Sequence, residues 1–196
     1  MKKNLVTAIL MTVATTILLG IIYPLVVTGI AQVLFPKQAN GELIDVNGKL
    51  VGSRLIAQAF TGPEYFHPRP SAVAYDPTNS NGSQLGPTNQ KLIERVKGDV
   101  AADHAENPSV PVPIDLVTAS ASGFDPDITP AAAEFQLDRV AKQRGMTVDQ
   151  LRPLVAKYTE GRQLRVLGEP RVNVLELNLE LDQRFPMNKQ ARAERH

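Results

Sequence analysis

The feature that most constrains this chain is an uncharged run at its start. Between Lys3 and Lys37 no residue carries a charge, and most positions are Leu, Ile, Val, Ala or Thr. A helix that crosses a hydrocarbon core of about 30 Å needs roughly 20 apolar residues, and residues 5–35 exceed that. The run predicts one transmembrane helix over 5–35, a short stub over 1–4, and a single domain over 37–196. A cleaved signal core spans only about 7–15 apolar residues, although Val27-Thr28-Gly29 offers a small-residue triplet. A buried core helix would carry a polar face, and no face here is charged.

Orientation follows from lysines. Lys2, Lys3 and the terminal amino group precede the span, and Lys37 alone lies close behind it. Positive charge marks the cytoplasmic side. The N-terminus is therefore expected in the cytoplasm and the main domain outside. Within the span, Thr12, Thr16, Gly20, Pro24, Thr28 and Gln32 recur at i+4. Small and hydroxyl residues let helices approach in lipid, and Gln hydrogen-bonds across to a neighbour. The stripe is either ordinary membrane-helix composition or a docking row for a second membrane subunit. Pro24 cannot donate to the Gly20 carbonyl and is expected to kink the helix.

The rest of the chain carries 19 basic residues (21 less Lys2 and Lys3) against 20 acidic ones. That balance gives no reason to expect nucleic acid or an anionic membrane surface as partner. The absence of cysteine excludes disulfides, thiolate metal sites and thiol nucleophiles. About 160 residues beyond the span suffice for one domain with a core.

Local patterns predict an α+β fold. Asn47-Gly48 between apolar runs predicts a hairpin, with strands at 42–46 and 49–57. Residues 60–87 are rich in Pro, Gly, Ser and Asn. They are too long and broken for an ordinary connection, and their aromatics argue for a shaped loop. Thr88 reads as a cap for a helix over 89–104. Residues 114–117 read as a short strand. Thr129-Pro130 opens a helix that Gly145 stops. Thr147 to Gln150 resembles a capping box, opening a helix that Pro153 should bend or restart. Leu175, Leu177, Leu179 and Leu181 alternate with polar residues, the period of a half-buried strand.

Chemistry-bearing motifs are sparse. Gly48-Lys49-Leu50 lacks the spacing of a phosphate loop. Gly82-Ser83 and Ser122-Gly123 each supply half of a nucleophile elbow and read as turns. His67, His104 and His196 have no zinc-ligand spacing. Asp125-Pro126-Asp127 lacks the glycine and glutamate of a calcium loop. The best constellation is Tyr65, His67, Arg69, Tyr75 and Asp76. A His–Asp pair with an Arg suits an anion or a general-base step; the same groups also suit mutual hydrogen bonds that pin a loop. Gln136 and Arg139 share one helix face, as a solvated pair or a contact row.

In order and spacing, longer strings carry a resemblance. They are Tyr23-Pro24-Leu25, Thr28-Gly29-Ile30-Ala31-Gln32 and Leu34-Phe35-Pro36 at the helix end, then Tyr65-Phe66-His67 and Arg69-Pro70-Ser71-Ala72. Leu85-Gly86-Pro87-Thr88-Asn89, the run from Asp115 to Gly123, Gln136 with Arg139-Val140-Ala141, and the run from Gly168 to Leu175 complete them. The chain resembles the KdpC family, a component of the Kdp potassium-transporting ATPase, nearly end to end; the last ten residues fall outside the match. The resemblance implies a single-span, non-catalytic subunit of a bacterial inner-membrane complex. Its expected partners are a potassium-binding channel-like subunit, a P-type ATPase subunit and a small membrane peptide. It implies a role in assembly and in raising the ATPase subunit's affinity for ATP, with ATP and potassium handled by the complex. No Asp-Lys-Thr-Gly-Thr string is present to carry an aspartyl phosphate. With the domain outside and ATP inside, any effect on nucleotide must travel through partner helices. The alternatives are a membrane-anchored periplasmic hydrolase using His67, Arg69 and Asp76, and a free-standing tethered binding module.

Overall fold

A computed structural model describes residues 2–187; His196 and the rest of the charged C-terminal tail lie outside them. The chain forms two compact units, one over Met1–Ser53 and one beginning at Arg54.

The first unit is built on a continuous helix, Lys2–Leu34, of 33 residues, with none of its most apolar stretch buried by protein. It is the one helix among the described residues long and apolar enough to cross a membrane. Two of its threonines hydrogen-bond back along the helix. Thr7 donates to the Lys3 carbonyl at 3.0 Å and Thr15 to Met11 at 2.8 Å, the usual i−4 solution for a hydroxyl on an apolar helix. The helix has three parts: α1 (Lys2–Thr15), a π-helical stretch (Thr16–Ile22) and α2 (Tyr23–Leu34). The wide stretch sits just before Pro24. The proline ring crowds the carbonyl four residues back and offers it no N–H. The Tyr23 N–H reaches five residues back, to Leu18, which is π-helical pairing.

Phe35 leaves helical geometry before Pro36, and a single turn, α3 (Pro36–Ala39), follows. Gln32, the last residue of the i+4 stripe, exchanges carboxamide hydrogen bonds with Asn40 at 3.3 and 3.1 Å. Strands β1 (Leu43–Val46) and β2 (Lys49–Ser53) form the expected antiparallel hairpin, with an irregularity between Ile44 and Asp45. Its turn places Asn47 at φ 56° and Gly48 at φ 77°, which Asn and Gly tolerate best. The second strand stops at Ser53, four residues short of the expected 57.

The second unit mixes helices with a small sheet. Helix α4 (Gln90–Glu106) is capped by Asn89, not Thr88: the Asn89 side chain accepts the Lys91 N–H at 2.9 Å. The expected strand at 114–117 is instead one helical turn, α5 (Ile114–Val117). A short apolar run fits a strand or a half-buried turn equally by pattern. Here Asp115 and Val117 face inward while Ile114 stays 76% exposed. Strand β3 (Asp127–Ile128) precedes α6 (Pro130–Arg144), which Thr129 caps through the Ala132 N–H at 3.1 Å. Gly145 ends α6 at φ 66°. Helix α7 (Val148–Lys157) has the expected capping box and runs through Pro153 without interruption. Strands β4 (Thr159–Glu160) and β5 (Arg171–Asn173) complete an antiparallel sheet of order β3-β5-β4.

The largest departure from the sequence reading is the leucine repeat, which is a helix, α8 (Val174–Arg184). Val174, Leu175, Leu177, Asn178 and Leu181 are buried, the spacing of one helical face. Asn173 caps it by accepting the Glu176 N–H at 3.1 Å. Leu and Glu are helix formers, and here propensity outweighs the apparent period of two.

Helices α6, α7 and α8 and strands β3 and β5 enclose one apolar core, including Leu137, Val140, Leu151, Leu154, Val172, Leu177 and Leu181. Phe66, from the long irregular segment, is fully buried in it. Its backbone is satisfied by Asn178, whose carboxamide accepts the Phe66 N–H and donates to the Phe66 carbonyl, both at 2.9 Å. An unpaired buried group costs about 1–3 kcal/mol. Asn178→Ala strands two and should destabilise the full chain by about 2–5 kcal/mol in a denaturant melt. A loss below about 1 kcal/mol contradicts this role.

Candidate functional site

The segment from Gly62 to His67 has no regular structure, so its carbonyls need partners from elsewhere. Five consecutive ones find them on two helices. From α6, Arg139 donates to Pro63 at 2.6 Å and to Tyr65 at 2.8 Å, and Arg144 donates to Glu64 at 2.7 Å. From α8, Asn178 takes Phe66. Gln136 takes His67, donating to its carbonyl at 3.2 Å and accepting its N–H at 2.7 Å. Arg139 also donates to Gln136 at 2.6 Å and pairs with Glu106 at 2.7 Å. The Arg144 side chain is 1% exposed; it pairs with Asp182 at 2.8 Å and lies over the Tyr65 ring at 5.0 Å.

A cavity of about 410 Å³ opens beside this segment. His67, Tyr75, Gln136, Arg139, Asp103 and Glu106 bring polar groups to it, and Phe60, Leu116 and Phe135 bring apolar surface. The structure thus gathers His67, Gln136 and Arg139, which the sequence had singled out separately. Tyr65, Arg69 and Asp76 are not among the lining residues. Tyr65 donates to Asp182 at 3.0 Å. Arg69 pairs with Asp125 at 2.8 Å. Asp76 is exposed and accepts from the Thr78 N–H and hydroxyl at 2.9 and 2.7 Å, which hold its carboxyl below the usual range. The expected His–Asp–Arg constellation is therefore divided among three local tasks.

His67 itself is tied down: its Nε2 lies 3.0 Å from the Gly62 carbonyl. Burial, and then the Arg139 cation, lower its pKa below the ordinary 6.5. Asp103 moves the other way. Burial, followed by the Glu106 and Asp99 carboxylates, raises it, and among the described residues its carboxylate has no hydrogen-bond partner. Burial also raises the Tyr75 phenol, whose hydroxyl donates to the Arg69 carbonyl at 2.8 Å. Asp103, Glu106, Arg144 and Asn178 were not picked from sequence. Asn178 was hidden because the strand reading put it on a solvent face.

The run from Thr118 to Gly123 has a packing role. The Ser120 N–H donates to Pro70 at 2.9 Å and the Asn81 N–H to Ser122 at 3.1 Å. Gly123, at φ 84°, sits so close that an added Cβ would lie 2.4 Å from Val73 and 2.8 Å from the Asn81 carbonyl. Ser120 and Ser122 hydrogen-bond each other at 3.0 Å, as a turn does. Among the described residues no group of three or more His, Asp or Glu is placed to hold a metal ion.

The family model for KdpC, the c chain of the K+-transporting ATPase, matches residues 5–183. The chain belongs to the KdpC family. A potassium-transporting ATPase KdpC subunit from Koribacter versatilis is 62% identical over 189 residues, spanning 95% of this chain and 98% of that protein. Its counterpart from Rhodospirillum rubrum is 54% identical over 191 residues, spanning 95% and 99%. A third, from Acidobacterium capsulatum, is 53% identical over 183 residues. Membership makes this a subunit of a potassium-transport complex.

The lowered His67 pKa sets a direction for pH dependence. The fold holds the neutral imidazole, so the unfolded chain binds more protons just below pH 6.5. Stability is then complete above that value and is lost as pH falls through the folded pKa. Asp103, raised, acts oppositely: its contribution is lost as pH rises through its folded value. The melting temperature of the full chain in detergent should fall between about pH 7.5 and 5.5, and His67→Gln should flatten that slope. An identical slope in the variant contradicts the assignment.

Proposed function

We propose that this chain is a non-catalytic accessory subunit of a bacterial inner-membrane, potassium-transporting P-type ATPase. One helix anchors it, with Lys2 and Lys3 cytoplasmic and the main unit outside. Its partners are a potassium-binding channel-like subunit, an ATP-hydrolysing subunit and a small membrane peptide. It supports their assembly and raises the ATP affinity of the hydrolysing subunit. Since the domain and the nucleotide lie on opposite sides of the membrane in this reading, the effect is a coupling free energy carried through membrane helices. ATP and potassium are handled by the complex.

The observation that carries the proposal is the family match over residues 5–183. The geometry around His67 supports it: Gln136, Arg139 and His67 are spent on the backbone of the 62–67 segment, and Arg69 and Asp76 are engaged elsewhere. That leaves little for the hydrolase alternative.

The test is purification of the full chain in mild detergent, alone and co-expressed with the other subunits. Alone it should hydrolyse neither ATP nor ester substrates. Co-expressed it should arrive with its partners, and the complex should reach half-maximal potassium-stimulated turnover at lower ATP than a preparation lacking the chain. Turnover by the isolated chain, or purification without partners, overturns the proposal.

A further inference from the structure

The connection between β4 and β5, residues 161–170, is a second hairpin turn unlike the first. Leu164 and Arg165 both sit at positive φ, 50° and 64°. The β1–β2 turn solves the same problem with Asn47 and Gly48, the residues that adopt such angles with least strain. A bulky Leu at positive φ is an outlier that persists only when its surroundings hold it. Gln163 and Leu167 exchange backbone hydrogen bonds, both at 2.9 Å. Outside them Arg162 grips both oxygens of Glu169 at 2.7 and 2.6 Å. The turn is braced at its base and strained at its tip.

The tip gives the fold nothing in return. Leu164 is 84% exposed, Val166 71% and Leu167 56%. Arg162 is neutralised by Glu169, whereas the Arg165 guanidinium has no partner among the described residues. Three exposed aliphatic side chains thus flank, along the chain, one cation without an ion-pair partner among the described residues, at the tip of a turn braced at its base.

We propose that this tip docks into another protein subunit of the transport complex, in an apolar pocket with a carboxylate on its rim. The inference rests on the accessory-subunit reading. A turn already closed by the Gln163–Leu167 and Arg162–Glu169 bonds has less left to order on entering a shaped pocket, and a lone guanidinium favours a carboxylate partner. A bilayer surface fits less well. Polybasic lipid-binding segments gather about 4–8 cations, and this tip offers one, beside Glu169.

The test uses the full chain co-expressed with its partner subunits. Leu164→Gly relieves the strained angle and removes the aliphatic group. It should leave the melting temperature of the isolated chain unchanged or raise it by a few degrees. Recovery of the intact complex should fall about 10-fold, and Arg165→Glu should do the same. A benzoylphenylalanine in place of Val166 should photo-crosslink to one partner subunit in the assembled complex. The proposal is overturned if both variants assemble like the parent chain, if crosslinks reach only lipid or a second copy, or if Leu164→Gly lowers the melting temperature. Failure of the parent chain to recover any partner overturns the accessory-subunit reading as well; failure of the variants alone to weaken assembly leaves that reading standing.

Discussion

Five consecutive backbone carbonyls, Pro63 to His67, are held by side chains from two helices, and the second unit depends on that arrangement. A strand would satisfy such groups by pairing with another strand. Here Gln136 and Asn178 do the work of a strand edge, each carboxamide serving both the N–H and the carbonyl of one residue. Arg139 and Arg144 serve the rest. Because each helix residue sits in a fixed register, the segment can carry Phe66 into the core and place His67 at the cavity wall without regular structure of its own. The chemistry of that wall follows. Its guanidinium and carboxamide are committed to backbone oxygens, leaving a half-buried imidazole whose pKa is lowered and the Asp103 carboxylate, without a hydrogen bond among the described residues, facing the space.

The long apolar helix, a candidate membrane span, obeys a parallel constraint. In lipid every backbone polar group must be satisfied internally, so a proline deep in the span has to be accommodated by its neighbours. The π-helical stretch over Thr16–Ile22 is that accommodation, with Tyr23 reaching to Leu18. It brings Thr16 and Gly20, two members of the i+4 stripe, into the non-α part of the helix. A smooth helical wheel therefore describes that stripe poorly.

Legibility in the sequence followed the strength of local rules. The Asn47-Gly48 turn, the Thr129-Pro130 cap and the Gly145 stop each rest on a residue with few alternatives, and each stands where expected; the apolar run at the start forms one long helix. The 114–117 run and the leucine repeat failed because a short apolar run and an alternating one are compatible with two periods. Capping by Asn173 and the helix propensity of Leu and Glu were the neglected signals. The site was half legible. His67, Gln136 and Arg139 stood out as residue types, but the meeting of His67 with Gln136 across 69 residues depends on tertiary register, which no local pattern encodes. Asn178 was lost with the strand assignment, and with it the reason a broken, proline-rich segment can be ordered.

The central claim is that side chains brace the 62–67 segment as firmly as a sheet would. Amide hydrogen exchange of the full chain in detergent tests it most directly. The Phe66 and His67 amides, which donate to Asn178 and Gln136, should exchange only through large-scale opening, at rates close to those of core amides in α6 and α8. Exchange of both at the rate of freely solvated loop amides contradicts the account.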